Sequence, residues 1–145
     1  MNEPNKHRDL TVAVVRSKVL FHDLDMMQVV WHGNYFKYFG EARLALFAQA
    51  GLERLYLPDA DAQWLYPVVR SEVKHVAPLR FMDEFTVTAR LREAKYKIVI
   101  DFEIRKQPED KVCTRASTQQ VAISATDYAL SFSIPDEIRR GFGLE

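Results

Sequence analysis

Cysteine is almost absent from this 145-residue chain, which contains one, Cys113. A single cysteine excludes an internal disulfide framework and a zinc site built from cysteines, and it fits a reducing compartment. No apolar run approaches the ~20 residues that a membrane span needs, and the first residues, MNEPNKHRDL, lack the apolar core of a secretory signal. We therefore expect a soluble cytoplasmic protein that does not associate with membranes.

An excess of either charge is absent as well, because 20 lysines and arginines match 20 aspartates and glutamates. Such a chain has no overall field that would attract nucleic acid or an anionic membrane, so we expect no nucleic-acid partner. The length allows one sizeable core and is too short for two ordinary domains. We therefore expect a single domain over residues 1–145.

What the sequence does contain is an alternation of apolar and polar residues that predicts a small sheet. The alternation runs without interruption through 84–92 and 96–104, which form the clearest predicted hairpin. A shift of the pattern at Gln119 and Gln120 predicts a bulge. Short turns between the strands imply antiparallel pairing. The other predicted strands are 11–22, 68–76, 112–124 and 128–132.

A long apolar helix is predicted after the first strand, from about Asn34 to Ala50. Asn34 is a suitable N-cap, since its side chain can accept a hydrogen bond from the first turn, and Gly51 is a suitable stop. Apolar residues cover more than one narrow stripe of this helix, which predicts burial on most sides. Residues 52–66 are irregular and rich in leucine and aromatic side chains, which indicates a flap. One helix against one sheet predicts an α+β fold, with a curved antiparallel sheet of about five strands wrapped around the helix.

A dense group of polar side chains lies directly before this helix, in the stretch FHDLDMMQVVWHGNYFKYFGEAR of residues 21–43. Unpaired amides at the start of a helix stabilise an anion and can hold an oxygen on which negative charge develops. An ionised aspartate beside such amides can attack a carbonyl carbon or remove a proton from an attacking water. The pattern therefore fits acyl chemistry that needs no cofactor. The residues concerned are His22, Asp23, Asp25, His32 and Asn34.

Each of these side chains also has a structural explanation. Asp23 and Asp25 are of the type that caps turns and helices or stays solvated. His22 follows a strand as a surface residue would, and His32 is equally able to hold the loop as a half-buried imidazole. Metal binding is a further alternative, but the spacing matches no familiar site and no histidine pair lies four residues apart on a helix. We expect no bound metal.

The quoted stretch resembles the signature of the hotdog-fold acyl-CoA thioesterases of the 4-hydroxybenzoyl-CoA thioesterase and YbgC-like type. That signature has an Asp-x-Asp, a valine pair, an aromatic residue, a His or Tyr, and an Asn-Tyr that opens a central helix carrying Glu-Ala-Arg. A second stretch, HVAPLRFMDEFTV, is similar to the family's entry into its third strand. The order of elements agrees over nearly the whole chain. The resemblance implies a hotdog fold and the hydrolysis of acyl-CoA or acyl-carrier-protein thioesters to a free acid and a thiol, without a cofactor.

Carried over by position, the resemblance implies that Asp25 is the catalytic nucleophile or general base. It implies that His32 lies beside the thioester and orients it or donates a hydrogen bond to it. Backbone amides at Asn34 and Tyr35, where the helix opens, are implied to polarise the thioester carbonyl. The implied substrate-binding residues are Val30, Trp31, Gly33, Asn34 and Tyr35.

The chain departs from the family at Gln28, where a glycine usually allows a tight bend three residues after the catalytic aspartate. We expect the loop to take a less extreme backbone path there, or the Gln28 amide to replace a contact. This departure favours an alternative function, a non-catalytic subunit that binds an acyl chain within a synthase assembly. A second alternative is an acyl-thioester dehydratase or hydratase, for which His32 and Glu41 are the nearest histidine–carboxylate pair.

The resemblance also implies assembly, because hotdog domains pair edge to edge and form acyl-CoA pockets between subunits. We expect a homodimer or a homotetramer. Glu41 and Arg43 match helix positions with a structural or interface role. The nucleotide of coenzyme A needs local positive charge. By residue type, the basic side chains expected to supply it are Lys74, Arg90, Arg92 and Lys97.

Overall fold

The computed structural model describes residues 9–57 and 59–144. The prediction drawn from the first residues of the chain falls mostly outside this range. Among the described residues, the helices α1 (Tyr35–Gln49) and α2 (Asp136–Gly141) are both too short to cross a membrane. The strands are β1 (Val12–Lys18), β2 (Trp64–Leu65), β3 (Val68–His75), β4 (Glu84–Glu93), β5 (Ile98–Gln107), β6 (Lys111–Gln120) and β7 (Ile123–Ser124).

Five strands form one sheet in the order β1-β4-β5-β6-β3, and every neighbouring pair is antiparallel. The short strands β2 and β7 form a separate pair. The predicted hairpin of β4 and β5 is confirmed. Every second residue from Phe85 to Leu91 and from Ile98 to Ile104 is buried, since alternation turns those side chains towards the helix. The bulge predicted on β6 at Gln119 and Gln120 is not there, since these residues pair with β5 without a register shift. The extra residue is Val69, on the neighbouring strand β3.

Several details of the strand prediction are wrong. β1 ends at Lys18 and not at residue 22, and the predicted strand 112–124 is divided between β6 and β7. Tyr96 precedes β5 and is 48% exposed, so the inward alternation begins only at Ile98. The predicted strand at 128–132 is a loop, in which Leu130 forms an isolated bridge with Ile123. Tyr128, Leu130 and Phe132 of this loop are exposed, because no helix or second sheet within the described residues covers them.

Helix α1 packs one face against the sheet. Its buried side chains recur every three or four residues, the spacing that places them on one side of a helix. Ring centroids lie 5.0 Å apart for Phe39 and Phe102 and 4.8 Å apart for Tyr38 and Phe85. The buried residues of α1 are Tyr35, Tyr38, Phe39, Ala42, Leu46 and Phe47.

The opposite side of α1 faces outward, which contradicts the predicted burial on most sides. Phe36 is 50% exposed and Leu44 is 42% exposed, because this chain supplies a single sheet face for the helix to cover. The helix ends as predicted, and Gly51 follows it with a φ of 74°, a backbone conformation that glycine adopts readily. Asn34 precedes the helix but makes no side-chain cap.

Candidate active site

A tight turn carries Asp25 towards the start of α1. The Asp25 amide donates a hydrogen bond to Val29 O at 2.9 Å, and the Gln28 amide donates one to Asp25 O at 3.0 Å. Gln28 has a φ of 65°, in the left-handed region that favours glycine. The expectation of a less extreme backbone path is therefore wrong, because the chain makes the tight bend with glutamine in this position.

Asp23 is buried, with 1% of its surface exposed. Its carboxylate accepts hydrogen bonds from Lys37 Nζ at 2.6 Å, from the Tyr38 hydroxyl at 2.9 Å and from the Leu20 amide at 3.1 Å. Burial acts to raise the pKa of Asp23, but the hydrogen bonds from these three donors outweigh it and hold the pKa below its ordinary value. The predicted turn cap is confirmed, whereas the solvated alternative is wrong, since two side chains of α1 enclose the carboxylate.

The backbone of Asp23 ties the loop to the helix opening. Its carbonyl oxygen accepts hydrogen bonds from the Asn34 side-chain amide at 2.8 Å and from the Trp31 backbone amide at 2.9 Å. Asn34 is therefore a loop anchor and not the side-chain N-cap that the sequence predicts. The Trp31 ring packs against Gly33, where an added Cβ would lie 2.3 Å from ring atom Cζ3. This close approach explains the glycine.

Asp25 lines a cleft of about 280 Å³ beside the N-terminal end of α1. The side chain is partly exposed, and its Oδ1 accepts a hydrogen bond from the Met27 amide at 2.8 Å. The cleft also receives side chains from the opening of α1 and from the segment that follows β3. These include Val30, His32, Tyr35, His75, Val76 and Pro78.

Aromatic contacts position the two imidazoles of the cleft. The ring centroid of His32 lies 5.3 Å from that of Trp31, and the ring centroid of His75 lies 4.7 Å from that of Tyr35. Burial raises the pKa of the Tyr35 hydroxyl, so this group stays protonated at neutral pH. Within residues 9–57 and 59–144, no three His, Cys, Asp or Glu side chains converge closely enough to hold a metal ion.

The structure gathers part of the predicted site into this cleft. The predicted residues that line it are Asp25, Val30, His32 and Tyr35. The predicted residues that lie in the same loop without lining the cleft are Trp31, Gly33 and Asn34. Sequence reasoning missed His75, because an exposed residue in an alternating strand carries no catalytic signal. Its one signal was its place at the start of the second resembling stretch, HVAPLRFMDEFTV.

Basic side chains lie beside the cleft. A neighbouring cavity of about 380 Å³ shares two lining residues with it and is also lined by Arg80, Lys106 and Lys111, together with Glu109. Lys106 Nζ lies 3.5 Å from Asp83 Oδ1, so its charge is partly matched. Arg80 and Lys111 form no ion pair with any of the described carboxylates. Their charge is therefore available to an anion at the mouth of the cleft.

The basic residues expected by type to bind the nucleotide lie elsewhere. Lys74, Arg90 and Arg92 alternate along β3 and β4 with side chains that face the core, so they project from the sheet face opposite α1. Arg92 is also paired with Asp101. Lys97 precedes β5, at the opposite end of that strand from the cleft. None of the four lines the Asp25 cleft or the cavity beside it, so their role in binding the nucleotide stays a prediction.

The comparisons with known proteins agree with the motif. A family model described as the thioesterase-like superfamily matches residues 19–142. A curated relative from Aquifex aeolicus (strain VF5), named "Putative esterase", is 25% identical over 126 residues, which make up 86% of this chain and 93% of that protein.

Solved structures show the same fold. The 1,4-dihydroxy-2-naphthoyl-CoA thioesterase from Synechocystis matches with a TM-score of 0.79 at 18% identity, over 91% of this chain and 96% of that chain. A mutant 4-hydroxybenzoyl CoA thioesterase complexed with 4-hydroxybenzoyl CoA matches with a TM-score of 0.79 at 17% identity, over 90% of this chain and 98% of that chain. The predicted hotdog fold is therefore confirmed, and the chain belongs to the thioesterase-like superfamily.

Proposed function

We propose that this protein hydrolyses acyl-CoA thioesters to a free acid and coenzyme A, with Asp25 as the catalytic carboxylate. One observation carries the proposal: of the two aspartates in the motif, Asp25 lines the cleft, whereas Asp23 is enclosed by Lys37 and Tyr38. The Met27 amide occupies Oδ1 of Asp25. Among the described residues Oδ2 has no donor, so it is the oxygen available for chemistry.

Two routes use this carboxylate and give the same products. In the first, an Asp25 oxygen bonds to the thioester carbonyl carbon, the C–S bond breaks, and the thiolate leaves and takes up a proton. Water then hydrolyses the acyl–aspartate anhydride and restores the carboxylate. In the second, Asp25 removes a proton from a water whose oxygen attacks the carbonyl carbon, and the C–S bond breaks as the proton passes to sulfur.

The helix opening supplies donors for the thioester carbonyl. The Asn34 amide donates to Trp31 O and the Tyr35 amide donates to His32 O, so the two amides implied by the resemblance are already in use. The amides of His32 and Gly33 have no backbone acceptor within the described residues. We therefore assign the carbonyl oxygen to these two donors, where they would stabilise the negative charge that develops on it.

Coenzyme A is favoured as the thiol by the charge beside the cleft. Arg80 and Lys111 lie in the cavity that adjoins the Asp25 cleft, where they can bind the phosphates of the nucleotide. The neighbouring structures' names specify 1,4-dihydroxy-2-naphthoyl-CoA and 4-hydroxybenzoyl CoA. The second neighbour is an aspartate-to-asparagine mutant complexed with 4-hydroxybenzoyl CoA, as expected if an aspartate of that protein acts on the thioester.

The alternative functions have less support from the geometry. A dehydratase or hydratase needs His32 beside a helix carboxylate, but Glu41 is exposed and does not line the cleft that His32 lines. A non-catalytic acyl-binding subunit was favoured by Gln28, yet Gln28 adopts the φ of 65° that the tight bend requires. The turn therefore holds Asp25 at the cleft without the glycine.

A homodimer through β3 completes the proposal. Strand β3 is an edge of the sheet, and Val68 and Val69 at its start are exposed by 44% and 57%. An unpaired, partly apolar edge is a ready surface for a second strand. Because His75 and Val76, which line the cleft, end this strand and follow it, a partner at this edge would lie next to the site. Light scattering on the purified protein distinguishes the expected dimer or tetramer from a monomer.

A thiol-release screen tests the activity. The purified protein is assayed against acyl-CoAs of graded chain length and aromaticity, with the same acyl groups on a carrier protein as a second series. We expect thiol release from at least one acyl-CoA. Enoyl-CoA and 3-hydroxyacyl-CoA are included, because addition or loss of water without free thiol would identify a hydratase or dehydratase. Tight acyl-CoA binding with no product at all would identify the binding subunit and contradict the proposal.

A further inference from the structure

A second cavity, of about 470 Å³, lies beside the far half of α1 and the segment 52–66. It shares no lining residue with the Asp25 cleft of the same chain. Its volume falls in the range of roughly 300 to 1,000 Å³ that holds small organic ligands. The aromatic residues in its wall are Phe47, Tyr56, Trp64 and Tyr66.

Arg43 places a largely buried positive charge in this wall. Its Nη2 donates a hydrogen bond to Thr118 Oγ1 at 2.9 Å, and its guanidinium carbon lies 5.4 Å from the centroid of the Phe102 ring. Its Nε is buried without a hydrogen-bond partner. Burial lowers the pKa of Arg43, because desolvation disfavours the charged guanidinium.

A purely structural arginine would be expected to have a carboxylate, as other arginines of this chain do. Arg54, on the same cavity wall, is paired with Glu137, and Arg92 is paired with Asp101. Both of these arginines are exposed, so they need a counter-charge less than Arg43 does. Asp59, Asp61 and Glu137 also line the cavity, but no described carboxylate lies within ion-pair distance of Arg43. Arg43 is therefore more buried than these two arginines and yet lacks the carboxylate partner that each of them has.

Gln120 adds a second polar group to the same wall. It is 5% exposed, and its Nε2 donates to Tyr66 O at 2.9 Å while its Oε1 has no partner. An apolar core of ordinary design leaves few buried polar atoms unpaired. Four such atoms occur among the described residues, and two of them, Arg43 Nε and Gln120 Oε1, belong to residues that line this one cavity.

We propose that this cavity is a second ligand site that takes a small aromatic carboxylate, with the ring among Tyr56, Trp64 and Tyr66 and the carboxylate opposite Arg43. Aromatic rings favour edge-to-face and stacked partners, and a guanidinium binds a carboxylate through paired hydrogen bonds. The same chemistry occurs in a free organic acid and at the far end of an acyl group. The absence of a shared lining residue favours the free acid.

Isothermal titration of the full chain with benzoate and with 3-phenylpropionate tests the proposal. We expect saturable binding of at least one of these acids at millimolar concentration, and binding at least tenfold weaker to Arg43→Met, which keeps a long apolar stem but removes the charge. Benzyl alcohol, a neutral match for benzoate, should bind more weakly than benzoate to the wild type. Arg140→Met removes an exposed arginine outside the cavity and should leave the affinity unchanged.

Two further variants keep the test decisive. Arg43→Lys, which retains the charge, replaces Arg43→Met in the test if that variant does not fold. Its affinity for the acid should fall less than that of Arg43→Met. Asp25→Asn should bind it as the wild type does, which separates this site from the thioester cleft. If the ligand is instead the end of an acyl group, Arg43→Lys will raise KM for 4-carboxybenzoyl-CoA and not for benzoyl-CoA. Two results would overturn the proposal. One is that the wild type binds neither acid saturably and Arg43→Lys has no such effect on KM. The other is that Arg43→Met binds the acid with the affinity of the wild type.

Discussion

Oδ1 of Asp23 lies 2.6 Å from Nζ of Lys37, and this ion pair joins the loop before α1 to the first turn of the helix. The side chain of Asp23 is 2% exposed and that of Lys37 is 43% exposed, so only the aspartate is buried. Asp23 also accepts the hydroxyl of Tyr38, one residue further along the helix. The buried aspartate therefore fixes the loop that presents Asp25 to the cleft.

Asp23→Asn should destabilise the fold. The change removes the anion that Lys37, Tyr38 and Leu20 surround, and hydrogen bonds to a charged group typically contribute about 1.5 to 3 kcal/mol each in stability. Because Lys37 is partly exposed and can return to water, we expect a loss of about 2 kcal/mol in the free energy of unfolding. Urea unfolding measures it. Tyr38→Phe, which deletes one donor, is the matched smaller change and should cost less.

The contribution of Asp23 should depend on pH. Its folded-state pKa is lowered, so the stabilisation is complete above the ordinary value of about 3.9 and is lost as the pH falls through the lower, folded value. The stability difference between the wild type and Asp23→Asn should therefore be constant near neutral pH and shrink below about pH 4. A difference that grows on acidification would contradict the assignment of a charged, hydrogen-bonded carboxylate.

The contrast between the two aspartates shows what the sequence could not provide. Both residues are of the type that caps a turn, and the pattern around them does not distinguish a buried carboxylate from one at a cleft. The distinction depends on Lys37 and Tyr38, which reach Asp23 from the helix across 14 and 15 positions of chain. Only the resemblance of the motif identified Asp25, and not Asp23, as the catalytic aspartate. The catalytic role of Asp25 remains a prediction.

Substitutions at Gln28 should separate backbone strain from chemistry. A non-glycine residue in the left-handed region costs about 1 kcal/mol, so Gln28→Gly should change stability by no more than about 1 kcal/mol and tend to raise it. Gln28→Val, whose branched side chain is poorly tolerated at a φ of 65°, should lower stability by about 1 to 2 kcal/mol. Thermal unfolding of the pair measures both effects. Equal stability of the two variants would show that the turn does not hold this conformation.

Arg80→Gln and Lys111→Gln should weaken coenzyme A binding without changing the chemical step. Loss of one phosphate contact is expected to raise KM for an acyl-CoA roughly three- to tenfold, with kcat unchanged. The matched substrate is the same acyl group on N-acetylcysteamine, which lacks the phosphates. Its KM should be the same for the wild type and both variants. An equal rise for both substrates would place these residues at the acyl group or in the fold and not at the nucleotide.

The strands of the sheet were easier to predict from the sequence than the burial of individual side chains. Alternation placed β4 and β5 correctly because one face of each strand is buried by α1, and apolar spacing located the helix itself. The same reasoning failed for 128–132, where exposed apolar residues imitate a strand, and it gave no sign of α2. It also overstated the burial of α1, because Phe36 and Leu44 look like core residues in sequence and lie on the uncovered side. The errors over burial share one cause. The sequence pattern tells which side chains are apolar, whereas their burial depends on whether a helix or a sheet packs over them.

The removal of the charge on Asp25 tests the central claim most directly. Asp25→Asn keeps the size of the side chain and an oxygen that can accept from the Met27 amide, so the fold should be preserved, with the free energy of unfolding within about 0.5 kcal/mol of the wild type. On the best acyl-CoA found in the screen, kcat should fall by about 10² to 10⁴-fold, the usual contribution of a positioned acid–base group. If the purified, folded variant releases thiol at the wild-type rate, Asp25 is not the catalytic carboxylate.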